Sequence, residues 1–203
     1  MKKVFLATNN EGKIQRFRRL LKSPGFQVEL FTPKDVGLSE IKVEEKGKTL
    51  EENAELKVRA YFGKVDMSIL ANDTGFYVEG KGFIDAPKRH ALKGKEENKM
   101  SKEEISKEML EFWKGIVTKY GGKVDAAWVE AFVVIHPNGK VKKATSRREI
   151  ILTDQEFGKP HIQMPLRALY ISKTTGKPAI QHSPEEELIE MQPVIDALTK
   201  VLS

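Results

Sequence analysis

The chain has 203 residues, 39% hydrophobic and 32% charged, which is enough for the packed core of one large domain or two small lobes. It contains no cysteine, which excludes disulfides and thiolate metal sites, and it lacks the apolar run of about eighteen residues that a membrane span needs. The net charge of +6 leaves nucleic-acid binding open as a hypothesis.

The first predicted elements are a short apolar strand over residues 2–7, a polar loop and a helix. The loop carries the polar side chains of Thr8, Asn9, Asn10 and Lys13. Apolar residues then recur at helical spacing, at positions 14, 17, 20 and 21. A loop that leads into a helix N-terminus offers free N–H groups and the positive end of the helix dipole, which suit an anion. The spacing is not that of a Walker A loop, and an ordinary strand–turn–helix connection stays open as the alternative.

A second helix is predicted to begin just after Thr49, because Thr49 followed by Glu52 is the pattern of a capping box. Asn53 and Lys57 are four residues apart, so they share one face of this helix. Glu45 lies shortly before the helix in a charged turn. This stretch therefore places acidic and basic side chains close to the start of a helix.

Residues 67–71 form the next predicted strand, which we expect to end at Asn72, Asp73, Thr74 and Gly75. An Asp at the C-terminal end of a buried strand, followed by Gly, is where α/β sheets place catalytic groups. Asp73 is therefore a candidate for chemistry. Residues 80–95 are rich in Gly, Pro and Lys and are predicted to be the most mobile segment.

Sequence patterns also predict the elements of the second half of the chain. A helix is predicted to end near residue 119, and a hairpin is predicted from residues 128–135, a turn at 136–139 and a return strand ending near 152. A closing amphipathic helix over residues 188–202 is interrupted near Pro193. The alternation of strand and helix patterns in residues 1–80 predicts an α/β fold.

Three sequence blocks, in the same order, resemble those of the inosine triphosphate pyrophosphatase family, whose members remove aberrant purine nucleoside triphosphates. The family's opening T-x-N-x-x-K is matched by Thr8, Asn10 and Lys13. Its second block, E-x-G-x-T-F-x-E-N-A-x-x-K-A, is matched by Glu45, Gly47, Thr49, Glu52, Asn53, Ala54 and Lys57. Its third block, commonly A-D-D-S-G-L, reads A-N-D-T-G-F here, with Asn72 in place of the first Asp. The match covers roughly the first eighty residues.

The resemblance implies a fold and a reaction. The fold is a long mixed β-sheet flanked by helices, with two lobes and a central cleft, in a single domain over residues 1–203. The reaction is metal-dependent hydrolysis of a nucleoside triphosphate, such as ITP, dITP or XTP, to the monophosphate and pyrophosphate. The implied cofactor is Mg²⁺, the implied assembly is a homodimer, and the implied location is the cytoplasm.

The resemblance also implies roles for particular residues. Glu45 and Asp73 are the expected metal ligands, with Glu44 as an alternative carboxylate, and Asp73 is expected to orient or deprotonate the attacking water. Lys13 and Lys57 are expected to balance phosphate charge as the transition state forms. The other expected substrate contacts are Thr8, Asn9, Asn10, Asn53, Thr74, Gly75 and Phe157.

The second half of the chain departs from the family pattern. Where the family has G-F-G-Y-D-P-I-F, this chain has F-G-K-P-H-I-Q-M-P-L-R-A-L-Y-I, and the C-terminal S-H-R is absent. The candidate replacements in the base pocket are Phe157, Gln163, Met164 and Arg167. Because polar pocket groups discriminate strongly between bases, their loss predicts weak preference for a 6-oxo purine or a changed preference.

Two other functions stay open at this point. One is a pyrophosphatase of the same fold with altered base specificity, as in a Maf-like enzyme, and the other is an inactive nucleotide or nucleic-acid binder. Nucleic-acid binding is not favoured, because residues 93–107 interleave Lys with Glu, as a solvated helix face does. The four histidines show no metal-binding spacing.

Overall fold

The computed structural model describes residues 1–23, 25–39 and 41–203, and for Asp85 the backbone only. The strands are β1 (Lys2–Leu6), β2 (Val28–Phe31), β3 (Ser68–Val78), β4 (Gly82–Asp85), β5 (Lys123–Ile135), β6 (Val141–Thr153) and β7 (Tyr170–Ser172). The α-helices are α1 (Glu11–Leu20), α2 (Leu50–Tyr61), α3 (Pro87–Ala91), α4 (Lys102–Thr118), α5 (Pro184–Glu190) and α6 (Gln192–Leu202).

The strands form one seven-stranded sheet in the order β2-β1-β3-β5-β6-β7, with β4 paired to β3. β1 runs parallel to both β2 and β3, whereas the β3–β4 and β6–β7 pairs are antiparallel. The sheet is therefore mixed. The prediction of an α/β fold with a mixed sheet flanked by helices is confirmed.

Contacts divide the chain into two compact units. The first comprises Met1–Asp73, Glu130–Ser146 and Val194–Ser203, and the second comprises Thr74–Val129 and Arg147–Pro193. In the first unit the ring of Tyr61 on α2 packs on Phe5 of β1, with 5.0 Å between centroids. In the second, Trp113 of α4 packs edge-on against Phe76 of β3 at 5.1 Å. Each unit thus has an aromatic pair in its own core.

The helix patterns read from the sequence are confirmed. α1 buries Ile14, Phe17 and Leu20, as their spacing predicts. α4 begins with a capping box between Ser101 and Glu104 and ends one residue before Lys119. The C-terminal helix is divided at Met191 into α5 and α6, close to the predicted interruption.

The predicted end of the third strand was wrong. β3 does not end at residues 72–75 but continues to Val78, because it lies between β1 and β5 in the sheet and its last residues, from Gly75 onward, also pair with β4. The segment over residues 80–95 contains β4 and the short helix α3, and its mobility stays a prediction. Among the described residues, no helix is both long and apolar enough to cross a membrane.

Candidate active site

The loop between β1 and α1 is shaped by its own polar side chains. The Thr8 hydroxyl accepts a hydrogen bond from the Asn10 backbone N–H at 3.2 Å. The Asn10 side-chain oxygen caps α1 by accepting from the Lys13 backbone N–H at 3.0 Å. Two of the predicted phosphate contacts therefore also define the turn that presents the start of α1, while Asn9 lies half-buried between them.

The loop before α2 is tied to the start of that helix. The Gly47 N–H donates to the side-chain oxygen of Asn53 at 2.8 Å, and the Thr49 hydroxyl accepts from the Glu52 N–H at 3.2 Å. The Glu52 carboxylate accepts from the Lys48 N–H rather than from Thr49, so the predicted capping box forms with a shifted partner. Asn53, predicted to contact substrate, is buried and uses its oxygen to fix this loop.

Gly47 is needed here for space. A Cβ at this position would lie 2.6 Å from Cβ of Glu52 and 2.8 Å from the backbone nitrogen of Asn53. Gly47→Ala should therefore push the loop that carries Glu45 away from α2 and lower the free energy of unfolding by about 1–3 kcal/mol. Urea denaturation measures this.

The matched control is Gly115→Ala in α4, where nothing lies within 4 Å of the new Cβ. That variant should gain about 0.5–1 kcal/mol, since Ala favours helix interiors over Gly. Equal unfolding free energies for the two variants would contradict the steric argument for Gly47.

The side-chain nitrogen of Lys57 contacts both predicted metal ligands. Its Nζ lies 2.8 Å from Oε1 of Glu45 and 2.8 Å from Oδ1 of Asp73. The two carboxylate oxygens are therefore at most twice that distance apart. The side chains of Lys57, Glu45 and Asp73 are only 16%, 22% and 14% exposed, so solvent screens this cluster less than an ordinary surface pair.

Lys13 lies next to this cluster. Its Nζ donates a long hydrogen bond of 3.4 Å to the backbone carbonyl of Asn72. Burial, and then the nearby charge of Lys57, lower the pKa of Lys13 to about 8, while Asp73 and Glu130 oppose the shift. A lysine with this pKa changes charge in the range where many enzymes work.

A buried ion pair lies behind these residues, and the sequence reading missed it. Arg16 of α1 holds both carboxylate oxygens of Glu130 at 2.6 Å each, and Glu130 in β5 is fully buried. The side-chain amide of Asn72 also donates to Glu130, at 3.3 Å. The available signal was a single acidic residue inside the apolar run over residues 126–135.

The remaining predicted contacts belong to the second unit. At Gly75 the ring of Phe83 packs directly on the backbone, since a Cβ there would lie 2.2 Å from that ring. Phe157 is half-buried, and its backbone bonds to Ala168 and to the side chain of Gln181. Thr74 is half-buried as well.

The proposed base-pocket replacements have different surroundings. Arg167 is held within the second unit, since its guanidinium donates to Glu187 at 2.7 Å and to the Ala179 carbonyl at 2.7 Å. Gln163 is exposed and Met164 is half-buried. The internal bonds of Arg167 give its side chain a structural role whatever else it does.

The fold and the site together define a mixed α/β protein in which two lysines and two carboxylates gather just beyond the end of β1. The chain belongs to the Ham1 family, whose sequence profile matches residues 4–158. This confirms the family resemblance read from the sequence, and the match reaches well beyond the first eighty residues.

Individual relatives match over shorter segments. The dITP/XTP pyrophosphatase of Thermoanaerobacter pseudethanolicus is 40% identical over 77 residues, which are 38% of this chain and 37% of that protein. The dITP/XTP pyrophosphatase of Bacillus subtilis is 34% identical over 82 residues, 40% of each chain. The matched segment thus spans well under half the length of these relatives.

Solved structures match over nearly the whole chain. The Ham1 protein of Staphylococcus aureus superposes with a TM-score of 0.69 at 21% identity, over 98% of this chain and 96% of that one. A HAM1 protein from Coxiella burnetii gives 0.73 at 18% identity, over 100% and 98%. At these identities the likeness establishes the fold.

Proposed function

We propose that this protein hydrolyses nucleoside triphosphates between the α- and β-phosphates, releasing a nucleoside monophosphate and pyrophosphate. The observation that carries the proposal is the contact of Glu45 and Asp73 with one lysine, Lys57, with Lys13 close by. The dITP/XTP pyrophosphatase names of the matched relatives support aberrant purine nucleotides as the substrate class.

The two lysines supply the positive charge that a triphosphate requires. Lys13 follows the N-terminus of α1, where free N–H groups and the helix dipole favour an anion. Lys57 reaches the same region from α2. Charge that builds up on the leaving pyrophosphate is therefore stabilised by groups already in place.

A divalent cation fits the donor set. Glu45 and Asp73 would hold it, because Mg²⁺ is usually bound by one or two carboxylates together with waters and substrate phosphates. Among the side chains that the structure describes, no group of three or more His, Asp or Glu lies together as a metal site, so substrate oxygens and water would complete the shell. Such an ion lowers the pKa of bound water. Asp73 would orient that water or take its proton.

The pKa of Lys13 predicts how the reaction depends on pH. Below about pH 8 this side chain is the ammonium ion that balances phosphate charge, and above it the charge is lost. In the parent, kcat/KM should therefore fall on the alkaline side of about pH 8, because this ratio reports groups of the free enzyme.

In Lys13→Arg the guanidinium stays charged at all these pH values, so the alkaline fall should move upward, even if the new side chain lowers the maximal rate. The measurement is kcat/KM from about pH 6 to about pH 10 for both proteins. An identical alkaline limb in the two proteins would remove Lys13 as its source.

The base preference is expected to be weak. The family's Ser-His-Arg and Tyr-Asp-Pro contacts are missing, and Arg167 is bonded to Glu187 and Ala179 of its own unit. A homodimer and a cytoplasmic location stay predictions of the family resemblance.

The experiment that tests the function is pyrophosphate release from ITP, XTP, GTP, ATP and the pyrimidine triphosphates, with Mg²⁺ present. We expect pyrophosphate from ITP and XTP, with kcat/KM less than about a hundredfold (about 2.7 kcal/mol) above that for GTP and ATP. Release from none of these triphosphates would overturn the proposed activity, and a larger preference would overturn the expected weak discrimination.

A further inference from the structure

The buried ion pair of Arg16 and Glu130 is held by two hydrogen bonds. Both nitrogens of the Arg16 fork pair with both oxygens of Glu130 at 2.6 Å, which is the bidentate geometry of the strongest charged hydrogen bonds. Glu130 has no exposed surface, and the side chain of Arg16 is 15% exposed. Asn72 adds its amide at 3.3 Å.

This network joins two of the chain segments that carry the site, α1 and β3. Arg16 lies three residues after Lys13, one turn along the same face of α1. Asn72 immediately precedes Asp73 in β3, and its backbone carbonyl accepts the hydrogen bond of Lys13. Glu130 therefore links the first turns of α1 to the part of β3 that presents Asp73, and it does so from a third element, β5.

Stability alone is a poor explanation for the pair. Buried ion pairs lose much of their attraction to desolvation, and apolar side chains of similar volume often serve a fold equally well. The side-chain amide of Asn72 is also a suitable hydrogen-bond donor for the Glu130 carboxylate. An Asp at position 72, as the family commonly has, would set a second carboxylate against the first, whereas the amide donates to it.

Lys13 needs a fixed backbone to keep its position in the site. Lys13 and Lys57 are like charges that repel each other, and Lys13 is a flexible side chain held by one long hydrogen bond. A lysine can keep a defined place only if the backbone that carries it is fixed. The ion pair fixes that backbone one turn away.

We propose that Arg16 and Glu130 are positioning residues, whose ion pair together with Asn72 holds Lys13 and Asp73 in register for a bound phosphate chain. This inference rests on the proposed pyrophosphatase function. It assigns no contact with substrate to Arg16 or Glu130, which act through the segments that they join.

The test separates positioning from folding by removing both charges. Glu130→Gln alone should lower Tm, since it leaves Arg16 without its ionic partner. The double variant Arg16→Met/Glu130→Leu should recover most of that Tm because no charge is left buried. If the pair positions the site, kcat of the double variant should stay about 10- to 100-fold below the parent. Recovery of kcat together with Tm would overturn the inference.

A second buried pair provides the control. Arg148 and Glu190 pair at 2.8 Å in the second unit, with side chains 7% and 1% exposed, and neither has a place in the proposed chemistry. Arg148→Met/Glu190→Gln should change Tm but leave kcat at the parent value. A comparable loss of kcat there would show that any buried pair has this effect, which would also overturn the inference.

A measurement without turnover keeps the inference separate from the proposed function. The rate at which an amine-reactive reagent modifies Lys13, relative to the exposed Lys22, can be followed by peptide mass spectrometry at about pH 10. At that pH Lys13, with a pKa of about 8, is already a free amine, so losing the nearby Glu130 charge does not itself change its reactivity. The ratio should rise at least about threefold in Arg16→Met/Glu130→Leu, because Lys13 is no longer held against Asn72. An unchanged ratio would overturn the inference even in an active enzyme, and a risen ratio would support it even if the parent hydrolysed no triphosphate.

Discussion

Asp73→Asn should lower kcat/KM for triphosphate hydrolysis by about 10²- to 10⁴-fold while the protein remains folded. The substitution keeps the size of the side chain and removes its charge. Lys57 then loses one of its two carboxylate partners, and the attacking water loses the group expected to orient it or take its proton. Steady-state rates and Tm, measured on the same preparations, test this.

The matched control is Asp66→Asn, an exposed carboxylate of the same unit just before β3. It should hydrolyse triphosphates at the parent rate. If Asp73→Asn does so as well, Asp73 has no part in the mechanism.

Lys57→Met should have two opposite effects. Triphosphate hydrolysis should fall by about 10²- to 10³-fold, because a cation placed for the developing phosphate charge is gone. Binding of Mn²⁺ without nucleotide should become tighter, because Glu45 and Asp73 no longer share their negative charge with an ammonium group. Calorimetry measures the second effect independently of turnover.

Lys64→Met is the control for this pair of measurements, since Lys64 is exposed beyond the end of α2. It should change neither the rate nor Mn²⁺ affinity. If Lys57→Met behaves like Lys64→Met in both measurements, Lys57 neither stabilises the phosphate charge nor competes with the metal for the two carboxylates.

Local sequence patterns were sufficient for the helices that build the site. The spacing of Ile14, Phe17 and Leu20 reports the buried face of α1, and Thr49 marks the start of α2, because both signals come from residues within a few positions of each other. The sharing of one helix face by Asn53 and Lys57 follows from the same short-range geometry.

The extent of β3 could not be read from local preferences. Asn, Asp, Thr and Gly at positions 72–75 favour a turn when considered alone. In the folded chain, β3 lies between β1 and β5 and also pairs with β4 from Gly75 to Val78, and its place in the sheet outweighs the local preference. Asp73 therefore lies within a continuous strand instead of at its end.

The ion pair of Arg16 with Glu130 lay beyond sequence reasoning for a related reason. The two residues are separated by 114 positions, and only the order of strands in the sheet brings β5 near α1. The role of Asn53 was also only partly predictable from the sequence. Its face of α2 was predictable, but the bond from Gly47 that uses its oxygen depends on the path of the preceding loop.

The most direct measurement of the central claim is phosphorus NMR of ITP incubated with the protein and Mg²⁺, because it identifies which phosphate bond breaks. We expect inosine monophosphate and pyrophosphate in equal amounts, with no inosine diphosphate at any time, and loss of both products in Asp73→Asn. Inosine diphosphate and inorganic phosphate, or equal product formation by the parent and Asp73→Asn, would contradict the claim.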